Sequence, residues 1–344
     1  MSIDLANKEL ISIFQLFFDE LPYLYESKNT SRGDIDFREA IIAEWSSGEK
    51  YVLKLSDNDF TFSEKISVWK RCADEYRKLG YYCPVIFSSK KGDFPSVTYK
   101  GHNCVAYVEE FCKYTVAEER CSKDTKGKTP FDIKWADAAW MMTAKVAAKQ
   151  FDFCNYPSAY CLFETFCPSD EVDEVLENAL EWKKYADNLP EKFQIQIQRI
   201  WQRWIGNRNE LEQIYYKLPT SVFQADLNST NLLVDDNGEF VGVFDFNLCG
   251  RDVFLNYLFR EIHWQYDEKY LLETLKKVSH VYRFLAIEKQ AAPLLYRCLK
   301  PLWYTELEKL KAAETDEIAI QTCLDMTEEL QTKDIEFAKY MSAN

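Results

Sequence analysis

One segment, FQADLNSTNLLVDDNGEFVGVFDFNLCGRD from Phe223 to Asp252, holds residue types at spacings that could do chemistry. Two apolar arms, Leu232 to Val234 and Phe240 to Phe244, flank Asp-Asp-Asn-Gly, and Asn237-Gly238 tolerates the positive φ angles of a type I′ turn. The spacing therefore predicts a hairpin whose register sets Asn231 across from Phe244 and beside Asp245. Asp226 lies just before Asn231, at the same open end. A carboxamide and a carboxylate offer hard oxygen ligands for Mg2+, and a separate carboxylate can take the proton of an acceptor hydroxyl, so the set suits phosphoryl transfer. Taken singly, Asp226 and Asn231 read as loop caps and Asp245 as a strand end. All three on one hairpin favour the chemistry.

The pattern D-x4-N, hairpin, second Asp matches the catalytic loop and metal-binding Asp of kinases. The whole segment resembles the core of the aminoglycoside phosphotransferase and choline kinase family, written H-G-D-L-H-x-x-N, a short hairpin, then I-D-F and a later Asp. That resemblance implies a bilobal, protein-kinase-like α+β fold over most of the chain, although only this segment carries the diagnostic pattern. It implies Asp226 as the catalytic Asp, Asn231 and Asp245 as Mg2+ ligands, and Asp252 as structural. The sequence departs from the family at Gln224, Ala225 and Asn228, where the family has His, Gly and His. Gln224 keeps a donor and an acceptor with which to support the loop.

A site of this kind needs a cation for the phosphates of ATP. In the strand KYVLKL, alternation puts Tyr51, Leu53 and Leu55 on one face and Val52 with Lys54 on the other, so Lys54 can point at a cleft while its neighbours meet the core. Its carboxylate partner is expected from the following helix, at Glu64 in the first turn or Glu75 near the end, with Glu64 preferred. The phosphate-covering turn falls in SKNTSRGDID, which has one glycine, Gly33, and would use backbone N–H groups with Ser and Thr. The strand Cys104 to Phe111 places Glu109, Glu110 and Phe111 at a hinge whose backbone would meet an adenine ring.

The elements that must position these residues are legible in turn. Leu10, Ile13, Phe14, Phe17 and Phe18 at helical spacing predict an amphipathic opening helix that stops before Pro22. FREAIIAEW, SSGE and KYVLKL predict a hairpin. Ile66, Trp69, Ala73 and Tyr76 predict a helix over Ser63 to Leu79, closed by Gly80. Two more strands follow in PSVTYKG and NCVAYVEEF. Strand signals fade after Phe111, so residues 1–111 are expected to form a small β-rich lobe and residues 112–344 a larger helical one.

Composition narrows the function. The chain has 344 residues, 42 Lys and Arg against 56 Asp and Glu, and a net charge of -14, which disfavours nucleic acid and anionic membranes as partners. No apolar run reaches the ~20 residues of a membrane helix and no signal-peptide pattern opens the chain, so a soluble cytoplasmic protein is expected. Eleven cysteines without a C-x-x-C pair suggest buried free thiols. Three scattered histidines, His102, His263 and His280, argue against zinc or His-based catalysis.

The acidic run around Asp170, Glu171, Asp173, Glu174, Glu177 and Glu181 could attract a cationic acceptor, but it also reads as a solvated helix face. Trp182, Trp201, Trp204, Trp264 and Trp303 could box a quaternary ammonium or simply fill a core. These readings lead to an ATP- and Mg2+-dependent kinase of a small hydroxyl compound, a metabolite or an aminoglycoside-like antibiotic, with a cationic acceptor as first candidate. A nucleotide-binding pseudokinase is the competing class.

Overall fold

The computed structural model describes residues 8–33, 35–121, 133–263 and 267–342. The chain divides into two compact units, one of Met1–Ala139, Cys167–Ser169 and Gln224–Gly250, the other of Trp140–Phe166, Asp170–Phe223 and Arg251–Asn344.

The first unit opens with the amphipathic helix α1 (Lys8–Phe17), followed by β1 (Leu24–Asn29), β2 (Phe37–Glu44) and β3 (Lys50–Asp57). Helix α2 (Ser63–Lys78) leads to β4 (Ile86–Phe87), β5 (Ser96–Tyr99) and β6 (His102–Glu110). These strands make one antiparallel sheet in the order β1-β2-β3-β6-β4, with β5 also on β6. Ile41, Ala43, Leu53, Leu55, Ala106 and Val108 are fully buried on one face, in a cluster with Leu10, Ile13 and Phe14 of α1. The period-2 pattern of the strands and the helical period of α1 thus meet in one core, as the sequence predicts. β1 is an addition: the arm LYESKN has no apolar alternation, and its pairing with β2 makes the segment before Phe37 a hairpin.

Beyond Glu110 the chain stays in the same unit. β7 (Thr115–Val116) leads to helix α3 (Ile133–Ala147), whose first turns belong to the first unit. The boundary expected between residues 111 and 112 is therefore replaced by one inside α3. The predicted hairpin also belongs to the first unit.

The second unit contributes α4 (Glu174–Ala186), α5 (Glu191–Tyr215) and β8 (Thr220–Phe223) before the chain returns to the first unit for β9 (Leu232–Val234) and β10 (Phe240–Val243). β11 (Gly250–Val253) pairs with β8, and α6 (Phe254–His263), α7 (Glu268–Val278), α8 (Ala286–Leu299), α9 (Tyr304–Ala312) and α10 (Glu317–Thr332) complete the helical part. Every residue of α6 is buried. Phe193, Ile197, Ile200, Trp204, Leu211 and Tyr215 form the buried stripe of α5, which packs on α8 and α10. Trp182, Trp204 and Trp303 are core residues, which answers the aromatic-box question for these three; Trp264 lies outside the described residues. Asp173 and Glu174 pair with Arg208 and Arg260, whereas Asp170, Glu171, Glu177 and Glu181 face solvent. All eleven cysteines are free thiols. Among the described residues no helix is long and apolar enough to cross a membrane.

Candidate active site

The hairpin forms as predicted at its open end and differs at its tip. Val243 pairs with Leu232, Gly242 with Leu233, and the Phe244 N–H donates to the Asn231 carbonyl at 3.2 Å, so Asn231 does stand across from Phe244 and beside Asp245. At the tip, only Gly238 has positive φ, +74°, and the Asp235 carboxylate accepts from the Asn237 and Glu239 N–H groups. The turn thus runs over three residues with a left-handed glycine rather than as type I′, because the Asp235 side chain supplies an Asx-type bond the dipeptide reading leaves out. The resulting irregularity lies between Phe240 and Gly242, on the tip side of the residues that matter.

Gly242 has a second role. The segment after α2 crosses β10 there: the Tyr82 N–H donates to the Val241 carbonyl at 2.9 Å, and the Val243 N–H donates to the Tyr82 carbonyl at 3.0 Å. A Cβ on Gly242 would stand 1.8 Å from the Tyr82 oxygen. Only glycine permits this approach, which fastens the hairpin to the end of α2.

Asp226 is held by two asparagines. The Asn228 Nδ2 donates to its Oδ1 at 2.9 Å, and the Asn231 Nδ2 donates to its Oδ2 at 2.9 Å and to its carbonyl at 2.8 Å. Asn228, which stands where the family has its second His, therefore orients the carboxylate directly. Asp245 takes a left-handed backbone, φ 58° and ψ 70°, a rare conformation for a residue with a Cβ.

Gln224 explains how that conformation is kept. Its side chain is fully buried; Nε2 donates to the Phe244 carbonyl at 3.2 Å and to the Asp245 carbonyl, and Oε1 accepts from the Asp226 N–H at 3.0 Å. Its own N–H donates to the Tyr76 hydroxyl of α2 at 3.0 Å. Two carbonyls can only accept, so the amide has one workable orientation. One glutamine thus joins α2, the Asp226 loop and the Asp245 turn, using both ends of its amide at once.

Lys54 sits where alternation puts it, on the face opposite Leu53 and Leu55, but its partner is not on α2. Its ammonium lies 2.9 Å from Glu109 Oε2 and 3.5 Å from Asp245 Oδ1. Glu64 is exposed and Glu75 pairs with Lys78 instead, which corrects both expected partners. The reason is register: Lys54 opposes Tyr107 and Val52 opposes Glu109, so Glu109 is the diagonal same-face neighbour of Lys54. The α2 residues turned inward are Lys65, Ile66, Trp69, Cys72, Ala73 and Tyr76, and Glu64 falls off that stripe. Burial works against the Lys54 charge, but Glu109, then Tyr107 and Asp245, outweigh it and hold the ammonium well above the ordinary lysine range. β6 ends at Glu110, one residue before the expected Phe111, and the Glu110 carboxylate lies on Lys113 at 2.6 Å.

Lys54 and Asp245 line a cavity of about 340 Å³ together with Arg32, Arg38, Trp69 and Asn247. The two arginines escaped the sequence reading, since neither belongs to a motif. The turn above the cavity also differs from expectation. The Thr30, Ser31 and Arg32 N–H groups are bonded to the Arg38 carbonyl, Asn29 Oδ1 and the Asp36 carbonyl, and the Ser31 hydroxyl bonds both backbone groups of Arg38. Among these residues no backbone donor is left over for an anion.

Asn231 and Asp245 fit a divalent cation by donor chemistry, one amide oxygen and one carboxylate that is about one-third exposed. Among the described residues no cluster of three or more His, Cys, Asp or Glu could hold a metal alone. In the second unit Asp252 is buried and accepts from Ser158 at 2.6 Å, Val253 N–H at 2.6 Å and Asn256 at 3.2 Å, which agrees with a structural role.

A model of the Phosphotransferase enzyme family matches residues 166–256, the stretch that holds Asp226, Asn231 and Asp245. Among solved structures, the amicoumacin kinase hAmiN in complex with AMP-PNP, Ca2+ and Ami has a TM-score of 0.51 at 14% identity, covering 97% of this chain and 97% of that chain. The microcompartment-associated aminopropanol kinase has a TM-score of 0.50 at 12% identity, covering 93% of this chain and 94% of that chain. No curated protein sequence matches the chain. The chain has the α+β fold of the protein-kinase-like phosphotransferases, and its residues 166–256 carry the pattern of the Phosphotransferase enzyme family.

Proposed function

We propose that this protein is an ATP- and Mg2+-dependent kinase that phosphorylates a hydroxyl group of a small molecule. The observation that carries the reading is the convergence, in one compact unit, of Asp226, Asn231 and Asp245 with Lys54. Asp226 is the base: its two oxygens are aligned by Asn228 and Asn231, and it takes the acceptor's proton as the acceptor oxygen bonds to the terminal phosphorus and the bond to the ADP oxygen breaks. Asn231 and Asp245 would hold Mg2+, which neutralises charge on the phosphates when bound. Lys54, kept protonated by Glu109, grips phosphate oxygens, and the backbone at Glu110 meets the base. A small hydroxyl compound is the acceptor, with a cationic one first in line because the chain carries a net charge of -14.

The test is acceptor-dependent ADP release with Mg2+-ATP across aminoglycosides, aminoalcohols and sugars, paired with Asp226→Asn. The variant is expected to lose at least ~100-fold in turnover with nucleotide affinity nearly unchanged, as befits a base that serves the acceptor. If nucleotide binds and no acceptor in the panel or in a metabolite extract stimulates ADP release, the pseudokinase reading takes its place.

A further inference from the structure

In the turn between β1 and β2 the N–H groups of Thr30, Ser31 and Arg32 are spent inside the hairpin. A side-chain cation over this cavity would add positive charge for a terminal phosphate. Arg38 is placed to supply it. Arg38 opposes Ser56 in the β2–β3 register, two residues beyond Lys54, and so shares the Lys54 face of the sheet. It lines the same cavity as Lys54 and Asp245.

The guanidinium is held firmly but not saturated. It pairs with Asp36 at 2.7 Å and lies 5.8 Å from the Phe60 ring centre, while its Nε is buried without a hydrogen-bond partner. Asp36 is itself tied to Asn58 at 3.0 Å, which fixes the ion pair from the far side. An arginine has five N–H donors, and one carboxylate satisfies at most two of them. The orientation along the sheet also has a sense. The hinge end of β3 is Tyr51, opposite Glu110, and Lys54 and then Ser56 lie progressively farther from it, about 7 Å apart at the ordinary strand rise. A nucleotide whose base meets the hinge passes Lys54 first and Arg38 last.

We propose that Arg38, with Arg32 at the cavity rim, grips the terminal phosphate of the nucleoside triphosphate and replaces the backbone amides of a glycine-rich loop. The inference rests on the nucleotide site proposed above. It predicts discrimination between triphosphate and diphosphate, because Arg38 meets a group that only the triphosphate has.

The experiment measures Mg2+-ATP and Mg2+-ADP affinity by calorimetry for the wild-type chain, Arg38→Gln and Arg38→Lys, with apo melting curves as a fold control. Arg38→Gln is expected to weaken ATP on the order of tenfold and ADP less than about threefold, with Arg38→Lys in between because a point charge lacks the planar fork. Inorganic tripolyphosphate, titrated directly, should bind the wild type about tenfold tighter than Arg38→Gln. Equal losses for ATP and ADP, or an ATP affinity within twofold of wild type, would overturn the assignment. A wild-type chain that binds neither nucleotide sinks the proposed nucleotide site itself. If Arg38→Gln does not fold, the ratio of ATP to ADP affinity in Arg38→Lys decides, and an unchanged ratio overturns the proposal.

Discussion

Replacing Gln224 by Glu changes one NH2 group to an oxygen without changing volume, and it tests the fastening of Asp245 directly. In the native protein Nε2 donates to the carbonyls of Phe244 and Asp245, and no water-exposed route is open because the side chain is fully buried. An ionised carboxylate there would face two carbonyl oxygens, so the new carboxyl must be protonated in the folded state. Holding a glutamic acid protonated at pH 7 against an ordinary value near 4.3 costs about 4 kcal/mol, and the lost second donor adds about 1 kcal/mol. The sign follows from proton counting: the folded state binds a proton that the unfolded state has released, so the penalty shrinks by about 1.4 kcal/mol for each unit the pH falls, until about pH 4.3. Gln224→Ala, which removes three bonds and leaves a void, should cost a similar ~3 kcal/mol but independently of pH. Thermal unfolding of the three chains between pH 5 and 7.5 measures both effects, with a drop on the order of 10 °C expected for Gln224→Glu at pH 7. The Mg2+-ATP gain in Tm should shrink alongside, as the left-handed turn at Asp245 relaxes. A Gln224→Glu chain as stable as wild type at pH 7.5, or one whose deficit does not change with pH, refutes the reasoning.

Gly242→Ala should be severely destabilising, about 3 kcal/mol or more by urea unfolding, since its methyl would stand 1.8 Å from the Tyr82 backbone oxygen. Asp245→Ala should remove most of the Tm gain produced by Mg2+-ATP while Glu64→Ala leaves it intact, because Glu109 and Asp245 are the carboxylates beside Lys54. Burial, followed by the charge of Lys300, pushes His263 down to about 3, so below its ordinary value near 6.5 the unfolded chain takes a proton that the folded chain refuses. Stability is therefore lost as pH falls from 6.5 toward 3; at pH 5 the His263 share is about 2 kcal/mol, and His263→Gln should flatten the wild-type stability profile by that amount.

What the sequence determined by itself is local and periodic. Alternation in KYVLKL assigned Leu53 and Leu55 to the core and Lys54 to the other face, and the helical stripe of Ser63 to Leu79 named Ile66, Trp69 and Tyr76 as its buried side. In sequence the register at Asn231 and Phe244 follows from a two-residue Asn237-Gly238 turn, and it holds at the open end because the irregularity between Phe240 and Gly242 offsets the three-residue tip and sets Val243 opposite Leu232. Tertiary structure decided everything that joins segments distant in the chain. Glu109 became the partner of Lys54 through the β3–β6 register, a pairing with no local signal, where the kinase-like expectation looks to the adjacent helix. The Thr30 and Arg32 amides are taken across the hairpin that β1, a strand without apolar alternation, forms with β2, and the Ser31 amide by the Asn29 side chain. Gln224 reads in sequence as a departure from a His, and only the folded chain, which brings Asp226, Phe244 and Asp245 to its buried side-chain amide and Tyr76 to its backbone N–H, turns that departure into a four-way fastening. Hydrogen-bond partners are chosen by what lies within 3 Å after folding, and spacing along the chain carries that information only where the contacts are local.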